Sequence, residues 1–323
     1  MRLATKPKPR PGRGPVRTAT GKNMKLLLIK RNWVLYLFIL PAFLYFFIFS
    51  YIPMYGVQIA FKDFIATKGF GGSPWADPIF KHFITFFSST RFAEIFWNTI
   101  SISFYYLLVS FPAPIILALM INEVKNNKFK KLVQNVTYMP YFISMVVLVG
   151  MIDLFFSNTG LVNQLTALVG LEPVQFLQKD SLFNDMYVWS GVWQTTGYGS
   201  VIYFAALAGV SPELHEAATI DGASRFQRII HVNLPAIMPT IVVMLIISVG
   251  GIMNLSFEKV LLMQKDINME VSEVIPTYVY KLGIQKAQYS LSSAVGLFNN
   301  IINLTLLILV NRFSRKVGEH SLW

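Results

Sequence analysis

The sequence predicts an all-α, polytopic membrane protein. Of its 323 residues, 54% are hydrophobic and only 14% are charged, whereas about 25% of the residues in a soluble domain are charged. A single water-soluble core could not bury so many apolar side chains, so lipid must solvate much of the surface. The composition therefore excludes an ordinary soluble enzyme.

Six apolar runs are each about as long as the 20 residues that a helix needs to cross a bilayer. The first run lacks the short apolar core and small-residue cleavage site of a signal peptide, so we expect it to remain as an anchor. Gly and Pro within the runs are either the ordinary ones of membrane helices or kinks that open a central path. We predict six transmembrane helices, near 33–60, 98–121, 137–156, 186–209, 236–256 and 291–311.

The distribution of Lys and Arg predicts the orientation, because these residues accumulate in cytoplasmic loops. Of the 28 basic residues, ten lie in 1–32, four in 122–136, two in 210–235 and three after position 311. Both termini are therefore predicted to be cytoplasmic. We expect a basic, disordered tail over 1–32 that lies against anionic lipid rather than binding nucleic acid. A transmembrane domain over 33–311 and a cytoplasmic tail over 312–323 follow.

The cytoplasmic segment 211–235 is predicted to begin with a short helix. Ser211 is a favourable N-cap and Pro212 suits the first helical position. The helix should run to about Ile220, and Gly222 should then break it.

A second short helix is predicted to follow that break. Ser224 and Gln227 have the spacing of a capping box, and Pro235 should end the helix before the next span. Its apolar residues recur at helical spacing: Phe226, Ile229 and Ile230. Small residues keep one side of the pair thin enough for another protein to approach closely: Ala217, Ala218 and Ala223. The alternative is an amphipathic hairpin at the membrane interface.

The same segment resembles the EAA loop of permease subunits in bacterial binding-protein-dependent ABC importers. The resemblance rests on Glu216-Ala217-Ala218, Asp221-Gly222-Ala223, Ile230 and Leu234-Pro235. It extends along most of the chain, through Tyr55-Gly56-Val57, Phe61-Lys62-Asp63-Phe64, Phe111-Pro112-Ala113-Pro114, Asn122-Glu123-Val124, Tyr138-Met139-Pro140 and Ser321-Leu322-Trp323. The chain is most similar to the polysaccharide and complex-oligosaccharide permeases of the carbohydrate uptake class.

The resemblance implies a type I ABC importer permease fold in the bacterial inner membrane. The partners it implies are a second permease subunit, a dimer of ATPase subunits, an extracytoplasmic solute-binding protein and a sugar. The large extracellular insert of some maltose-type permeases is absent, so short loops would contact the binding protein. The loop 211–235 would couple the permease to the ATPase through Glu216, Ala217, Ala218, Asp221, Gly222, Ala223, Phe226, Ile230, Leu234 and Pro235.

Nucleotide, metal and catalytic sites are not expected in this chain. It has no phosphate-binding G-x-x-x-x-G-K-[ST] loop, since Gly21-Lys22 is followed by Asn23 and lacks the upstream glycine. It has no Cys and only four scattered His. The resemblance implies that ATP and Mg²⁺ bind to the partner ATPase, and that this chain needs no cofactor of its own.

The predicted span 186–209 carries the residue types that recognise sugars. Aromatic faces stack on sugar rings, whereas amides and hydroxyls hydrogen-bond to sugar hydroxyls. The alternative is an interfacial aromatic belt, especially for Trp189. We predict a substrate path that includes Trp193, Gln194, Tyr198, Tyr203 and Asn254. Asp153 lies within a span, and we interpret it as a helix-end ion pair or hydrated group rather than a transport residue.

Two other functional classes fit parts of the sequence. A secondary carrier or channel for a polar solute, working without ATP, would also have six kinked spans. It would not explain the segment 211–235, and it would typically show repeated halves with broken helices in matching positions. An intramembrane enzyme would need a Ser-His, His-Glu or paired-Asp constellation inside the spans, which the sequence lacks. The importer permease is our prediction, and the carrier or channel is the alternative.

Overall fold

The computed structural model describes residues 31–176 and 179–318, and these residues are mostly helical. One isolated β-bridge joins Lys62 and Trp75. Most of the predicted basic tail over 1–32, and the end of the predicted tail over 312–323, lie outside the described residues. The chain divides into two compact units, Met1–Gly56 and Val57–Trp323.

The described part of the first unit is one apolar helical run. It comprises α1 (Trp33–Phe46), a π-helical turn (Phe47–Tyr51) and α2 (Ile52–Met54). Every side chain from Trp33 to Tyr55 is exposed. A helix that is apolar on all sides is suited to lipid, so this run is solvated by a membrane rather than by water.

The second unit contains fifteen further α-helices among the described residues. The first seven are α3 (Gly69–Gly72), α4 (Lys81–Phe87), α5 (Phe92–Ser110), α6 (Pro112–Asn122), α7 (Asn127–Tyr138), α8 (Met145–Phe155) and α9 (Leu161–Leu168). The remaining eight are α10 (Asp180–Ala208), α11 (Pro212–Ile220), α12 (Arg225–Arg228), α13 (Leu234–Gly250), α14 (Phe257–Met263), α15 (Met269–Ser272), α16 (Ile275–Tyr280) and α17 (Tyr289–Gly318).

Four helical runs in the described residues are long and apolar enough to cross a membrane. They are Trp33–Phe61, Phe92–Asn122, Arg225–Gly250 and Tyr289–Lys316. They correspond to four of the six predicted spans. The fifth predicted span, 236–256, was placed too far along the chain, because the helix ends at the Gly250-Gly251 pair and residues 251–256 form a turn.

The predicted span 137–156 is not one straight helix. Asn127–Phe142 and Met145–Phe155 meet at an angle of 97°. The break has a local cause: Ser144 takes an extended conformation and its hydroxyl accepts a hydrogen bond from Val147 N, so it begins a new helix. The two helices together form either one broken span or a re-entrant segment.

The helix that contains the predicted span 186–209 is the central helix of the second unit. Helix α10 is 29 residues long and packs against α5, α6 and α13. At Gly197 it passes so close to α7 that a Cβ atom there would overlap the carbonyl of Thr137. This helix is long enough to span a membrane, but its polar residues and glycines set it apart from the four apolar runs.

Asp153 forms an ion pair with Lys265, with 3.0 Å between the carboxylate Oδ2 and Nζ. Both side chains are more than a third exposed. This pair agrees with the interpretation of Asp153 as a helix-end ion pair, and an exposed pair of this kind contributes about 0 to 1 kcal/mol to stability.

Candidate functional site

The segment 211–235 is called the coupling loop below, after its predicted role. Its first helix has the predicted bounds. Helix α11 begins at Pro212, and the hydroxyl of Ser211 accepts a hydrogen bond from Glu213 N at 3.3 Å. It ends at Ile220, and Gly222 has a φ of +77°. Backbone hydrogen bonds from residues 222 and 223 to the carbonyls of residues 219 and 218 close the helix end. This left-handed glycine cap makes the sharp turn between the two helices.

The second helix of the coupling loop begins as predicted but does not end as predicted. Ser224 N donates to Gln227 Oε1 at 2.8 Å, and Gln227 N donates to Ser224 Oγ at 3.3 Å, so the capping box is present. The prediction that Pro235 ends this helix is wrong. The helix continues through a π-helical turn (Ile229–Asn233) into α13, and Pro235 lies in the first turn of α13, directly after that π-helical turn.

Side-chain hydrogen bonds hold the coupling loop together and join it to the rest of the second unit. Arg228 Nη1 donates to Thr219 Oγ1 at 2.9 Å, which links the two short helices. Asn233 is buried, and its Nδ2 donates to Glu123 Oε1, beyond the end of α6, at 3.4 Å. The loop is therefore positioned by the body of the second unit and not by its own backbone alone.

The outer surface of the coupling loop is unusually apolar for a polar segment. Ile220 is 86% exposed and Phe226 is 70% exposed. Glu216 and Ala217 are also exposed, whereas Ala218 and Ala223 are half-buried. Exposed apolar area with a polar rim is typical of a surface that binds another protein, so Ile220 and Phe226 are candidates for such a contact.

Glu216 lines a cavity of about 680 Å³ between the coupling loop and the end of α6. Charged or titratable side chains around this cavity include Glu123, Lys125, His215 and Arg228. Among the described residues, no basic group lies within ion-pair distance of Glu216. Its carboxylate is therefore available to a group on another protein. The other predicted coupling residues are also placed: Ile230 and Pro235 are exposed, Leu234 is half-buried, and Asp221 and Gly222 are exposed at the turn.

A second cavity, called the central cavity below, lies between α5, α6, α10, α13 and α14. Its volume is about 500 Å³. Three of the predicted path residues line it: Gln194, Tyr203 and Asn254. Further aromatic and hydroxyl groups on its wall are Ser103, Tyr106, Tyr187 and Ser256. The mixture of aromatic faces, amides and hydroxyls is suited to a polar ligand with apolar ring faces.

Two predicted path residues do not line the central cavity. Trp193 instead faces an apolar groove of about 300 Å³ together with Trp189, Phe155 and Phe156. Tyr198 stacks on Tyr141 with 4.0 Å between ring centroids. The sequence pattern could not separate these residues from Gln194, because they share one helix and only the packing of neighbouring helices decides which face meets the cavity.

Amide hydrogen bonds fix two of the residues that line the central cavity. Gln194 Nε2 donates to the carbonyl of Ile143 at 2.9 Å, at the break between α7 and α8. The side-chain Oδ1 of Asn254 accepts hydrogen bonds from Asn299 at 3.0 Å and from Asn303 at 3.1 Å, both on α17. The turn 251–256 is thereby tied to α17, and Asn254 is presented at the cavity.

Sequence reasoning missed a lysine on the wall of the central cavity. Lys259 lies on α14, beyond the end of the helical run Arg225–Gly250, and it is 2% exposed. Its Nζ donates to the carbonyl of Tyr187 at 2.7 Å and lies 4.7 Å from the centre of that ring. Burial lowers the pKa of Lys259 to about 7. In the sequence, a single lysine that follows a predicted span looks like an ordinary charged residue of a loop. No local pattern indicates that this lysine is buried.

Comparisons with known proteins agree along nearly the whole chain. A family described as "Binding-protein-dependent transport system inner membrane component" matches residues 110–319. The chain is 41% identical to Protein LplB of Bacillus subtilis (strain 168), over 99% of this chain and 100% of that protein. It is 40% identical to the polygalacturonan/rhamnogalacturonan transport system permease protein YteP of the same organism, over 94% of each chain.

A solved structure has the same fold. It is the crystal structure of a bacterial ABC transporter involved in the import of the acidic polysaccharide alginate. One of its chains is 40% identical to this chain and superposes with a TM-score of 0.85, covering 91% of this chain and 99% of that one. A second crystal structure shows the bacterial alginate ABC transporter in complex with an alginate pentasaccharide-bound periplasmic protein, with a TM-score of 0.84.

Proposed function

This chain belongs to the family of binding-protein-dependent transport system inner membrane components, and we propose that it is the permease subunit of an ABC importer that carries an oligosaccharide or polysaccharide into the cell. The observation that carries this proposal is the likeness, over 94% of each chain, to a permease named for polygalacturonan/rhamnogalacturonan transport. It favours the importer over the ATP-independent carrier or channel.

The coupling loop is the proposed docking surface for the ATPase. Ile220 and Phe226 offer exposed apolar area, and Glu216 offers a carboxylate that is not paired within the described residues. The Arg228–Thr219 hydrogen bond makes the two helices one unit. Movement of a bound ATPase would therefore be transmitted through the continuous helical run Arg225–Gly250 to the membrane domain.

The path for the saccharide is proposed to include the central cavity. Gln194, Tyr203 and Asn254 line it and supply hydrogen-bonding groups and an aromatic face. Trp193 and Tyr198 belong to neighbouring surfaces of the same helix, and they would contact the saccharide only if the helices rearrange during transport.

Six spans are proposed for the membrane domain over 33–311. They comprise the four apolar runs, the bent pair Asn127–Phe142 and Met145–Phe155, and α10. The number is even, so both termini would lie on one side, and the basic residues of 1–32 and 312–323 favour the cytoplasm. The solute-binding protein would then contact the short loops on the opposite side.

The proposal makes this chain a non-catalytic subunit. The sequence lacks a phosphate-binding loop, and ATP with Mg²⁺ would bind to the partner ATPase. Reconstitution in proteoliposomes tests this assignment. ATP hydrolysis and saccharide uptake should require this chain, a second permease, the ATPase and a loaded binding protein together. Substantial ATP hydrolysis by this chain alone, or saccharide uptake without any ATPase, would contradict the proposal.

A further inference from the structure

The wall of the central cavity includes a buried lysine, Lys259, to which the proposed function assigns no role. We propose that this cavity binds the carboxylate of an acidic sugar residue, such as a uronate, and that Lys259 is the residue that pairs with it. This inference rests on the proposed function, because it names the class of saccharide that the same path would take.

The surroundings of Lys259 give its charge a carbonyl and an aromatic ring but, among the described residues, no anion. Its ammonium has three donors, and within the described residues one of them is used by the carbonyl of Tyr187. No carboxylate in the described part of the chain lies within ion-pair distance of its Nζ. By contrast, Lys265 and Lys281 each have an acidic partner, at 3.0 and 2.9 Å.

A buried cation without an anion is costly, and the cost falls when a carboxylate arrives in the cavity. The lowered pKa of Lys259 expresses the same cost, since burial disfavours the ammonium form. A sugar hydroxyl could accept one hydrogen bond from the amine, but it would not neutralise the charge. An ionised uronate would do both, and a charge-assisted hydrogen bond is about twice as strong as a neutral one.

A glycine on the central helix makes room for the amine. A Cβ atom at Gly191 would lie 3.0 Å from Lys259 Nζ and 2.8 Å from a ring carbon of Tyr106. Both distances are shorter than ordinary contacts, so any side chain at 191 would displace the amine or the ring. The position of the cation on the cavity wall therefore depends on the absence of a side chain at this residue.

One other residue on the wall of the central cavity can hydrogen-bond to a sugar ring held by Lys259. Asn254 is exposed to the cavity, and since its Oδ1 accepts from Asn299 and Asn303, its NH₂ group is directed to donate elsewhere. The volume of about 500 Å³ lies within the range of small-molecule sites.

The inference is tested on the purified complex of this chain with the second permease and the ATPase. The binding protein is left out, so that any preference between saccharides comes from the transmembrane site. The probes are radiolabelled α-1,4-linked trigalacturonate and the same trimer with its carboxyl groups reduced to alcohols. Equilibrium dialysis should show that the wild-type complex binds the acidic trimer at least about tenfold more tightly than the reduced trimer.

The variant Lys259→Met should abolish this preference, because it should lower the affinity for the acidic trimer much more than the affinity for the reduced trimer. Lys265→Met, which removes a lysine outside the cavity, should retain the preference. Gly191→Ala is a second variant that keeps the charge but crowds the amine, and it should reduce the preference as well. This variant also decides the question if Lys259→Met fails to assemble.

Three results would overturn the inference. The first is equal affinity of the wild-type complex for the two trimers, and the second is retention of the preference in an assembled Lys259→Met complex. The third is an equal loss of affinity for both trimers in that variant. The last result would assign Lys259 to packing between α14 and α10. The full importer separates this failure from failure of the proposed function. If the importer takes up both trimers equally with ATP, only the acidic specificity is contradicted. If it takes up no saccharide, the acidic specificity and the proposed function are both contradicted.

Discussion

Arg228 donates a hydrogen bond from Nη1 to the hydroxyl of Thr219 at 2.9 Å, across the turn made by Gly222. This bond joins the last turn of α11 to α12, whose helical path continues without interruption into α13. The bond therefore ties α11 to the helical run Arg225–Gly250, which is the connection that the proposed coupling requires.

Charge reversal at Glu216 should weaken attachment of the ATPase. Glu216→Lys replaces an exposed carboxylate that has no ion-pair partner among the described residues, and it adds a cation beside Lys125 and Arg228. Loss of an interfacial ion pair commonly costs about 2 to 5 kcal/mol. Pull-down from membranes should recover at least about tenfold less ATPase than with wild type, and uptake should be lost.

Glu172→Lys is the matched control for this charge reversal, because Glu172 is also exposed but lies outside the coupling loop. It should leave ATPase recovery unchanged. Normal recovery of ATPase with Glu216→Lys would mean that the coupling loop is not the docking surface.

A side chain at Gly222 should tilt the second helix of the coupling loop. The φ of +77° is unfavourable for L-residues by about 1 to 2 kcal/mol, and a β-branched residue tolerates it least. No heavy atom lies within 4 Å of the position of a Cβ at 222, so the effect would come from backbone strain and not from a clash. Gly222→Val should reduce ATPase recovery and uptake without preventing insertion.

Gly222→Asn distinguishes the effect of backbone strain at positive φ from the effect of adding any side chain at position 222. Asn adopts positive φ more readily than other non-glycine residues, so this variant should retain most of the uptake. If Val and Asn at 222 both behaved as wild type, the turn would play no part in coupling.

Replacing Gln194 should affect transport more than replacing Trp193. Gln194→Ala removes an amide from the central cavity and leaves the carbonyl of Ile143 without its hydrogen bond. Trp193→Ala changes an apolar groove elsewhere on the helix. We expect a several-fold loss of saccharide uptake for Gln194→Ala, a smaller loss for Trp193→Ala, and normal ATPase recovery for both. The opposite order of effects would place the path along the apolar groove.

A methyl group at Gly197 should destabilise the protein by disturbing the contact between α10 and α7. The Cβ of Gly197→Ala would overlap the carbonyl of Thr137, which belongs to the backbone and can move away only if a helix moves. Overpacking of this kind costs about 1 to 3 kcal/mol. Gly150→Ala is the control, because a Cβ at Gly150 meets no heavy atom within 4 Å.

Thermal unfolding in detergent compares the two glycine variants. The transition temperature should fall for Gly197→Ala and stay unchanged or rise for Gly150→Ala, which gains helix propensity. Equal transition temperatures for the two variants would show that α7 and α10 do not pack as closely as described.

The sequence by itself determined the all-helical class and the bounds of α11, because lipid solvation and helix capping are set by residue types close together in the chain. The Ser224–Gln227 capping box and the glycine at the turn are of this kind. The spacing of Glu216, Asp221 and Gly222 in the sequence also indicated the family. These are local properties, and a reader of the sequence needs no information about neighbouring helices to find them.

Only the tertiary structure decided which residues meet the central cavity. Ser144 makes the break after Phe142 locally, but the 97° angle between the two helices and the continuation of α12 past Pro235 depend on how helices pack. Gln194 and Trp193 are adjacent in sequence, but α10 turns about 100° between them, so one reaches the cavity and the other an apolar groove. Lys259 became a candidate ligand-binding residue only when α14 folded against Tyr187 and Gly191, because burial of a charge is a property of the surrounding helices and not of the residue itself.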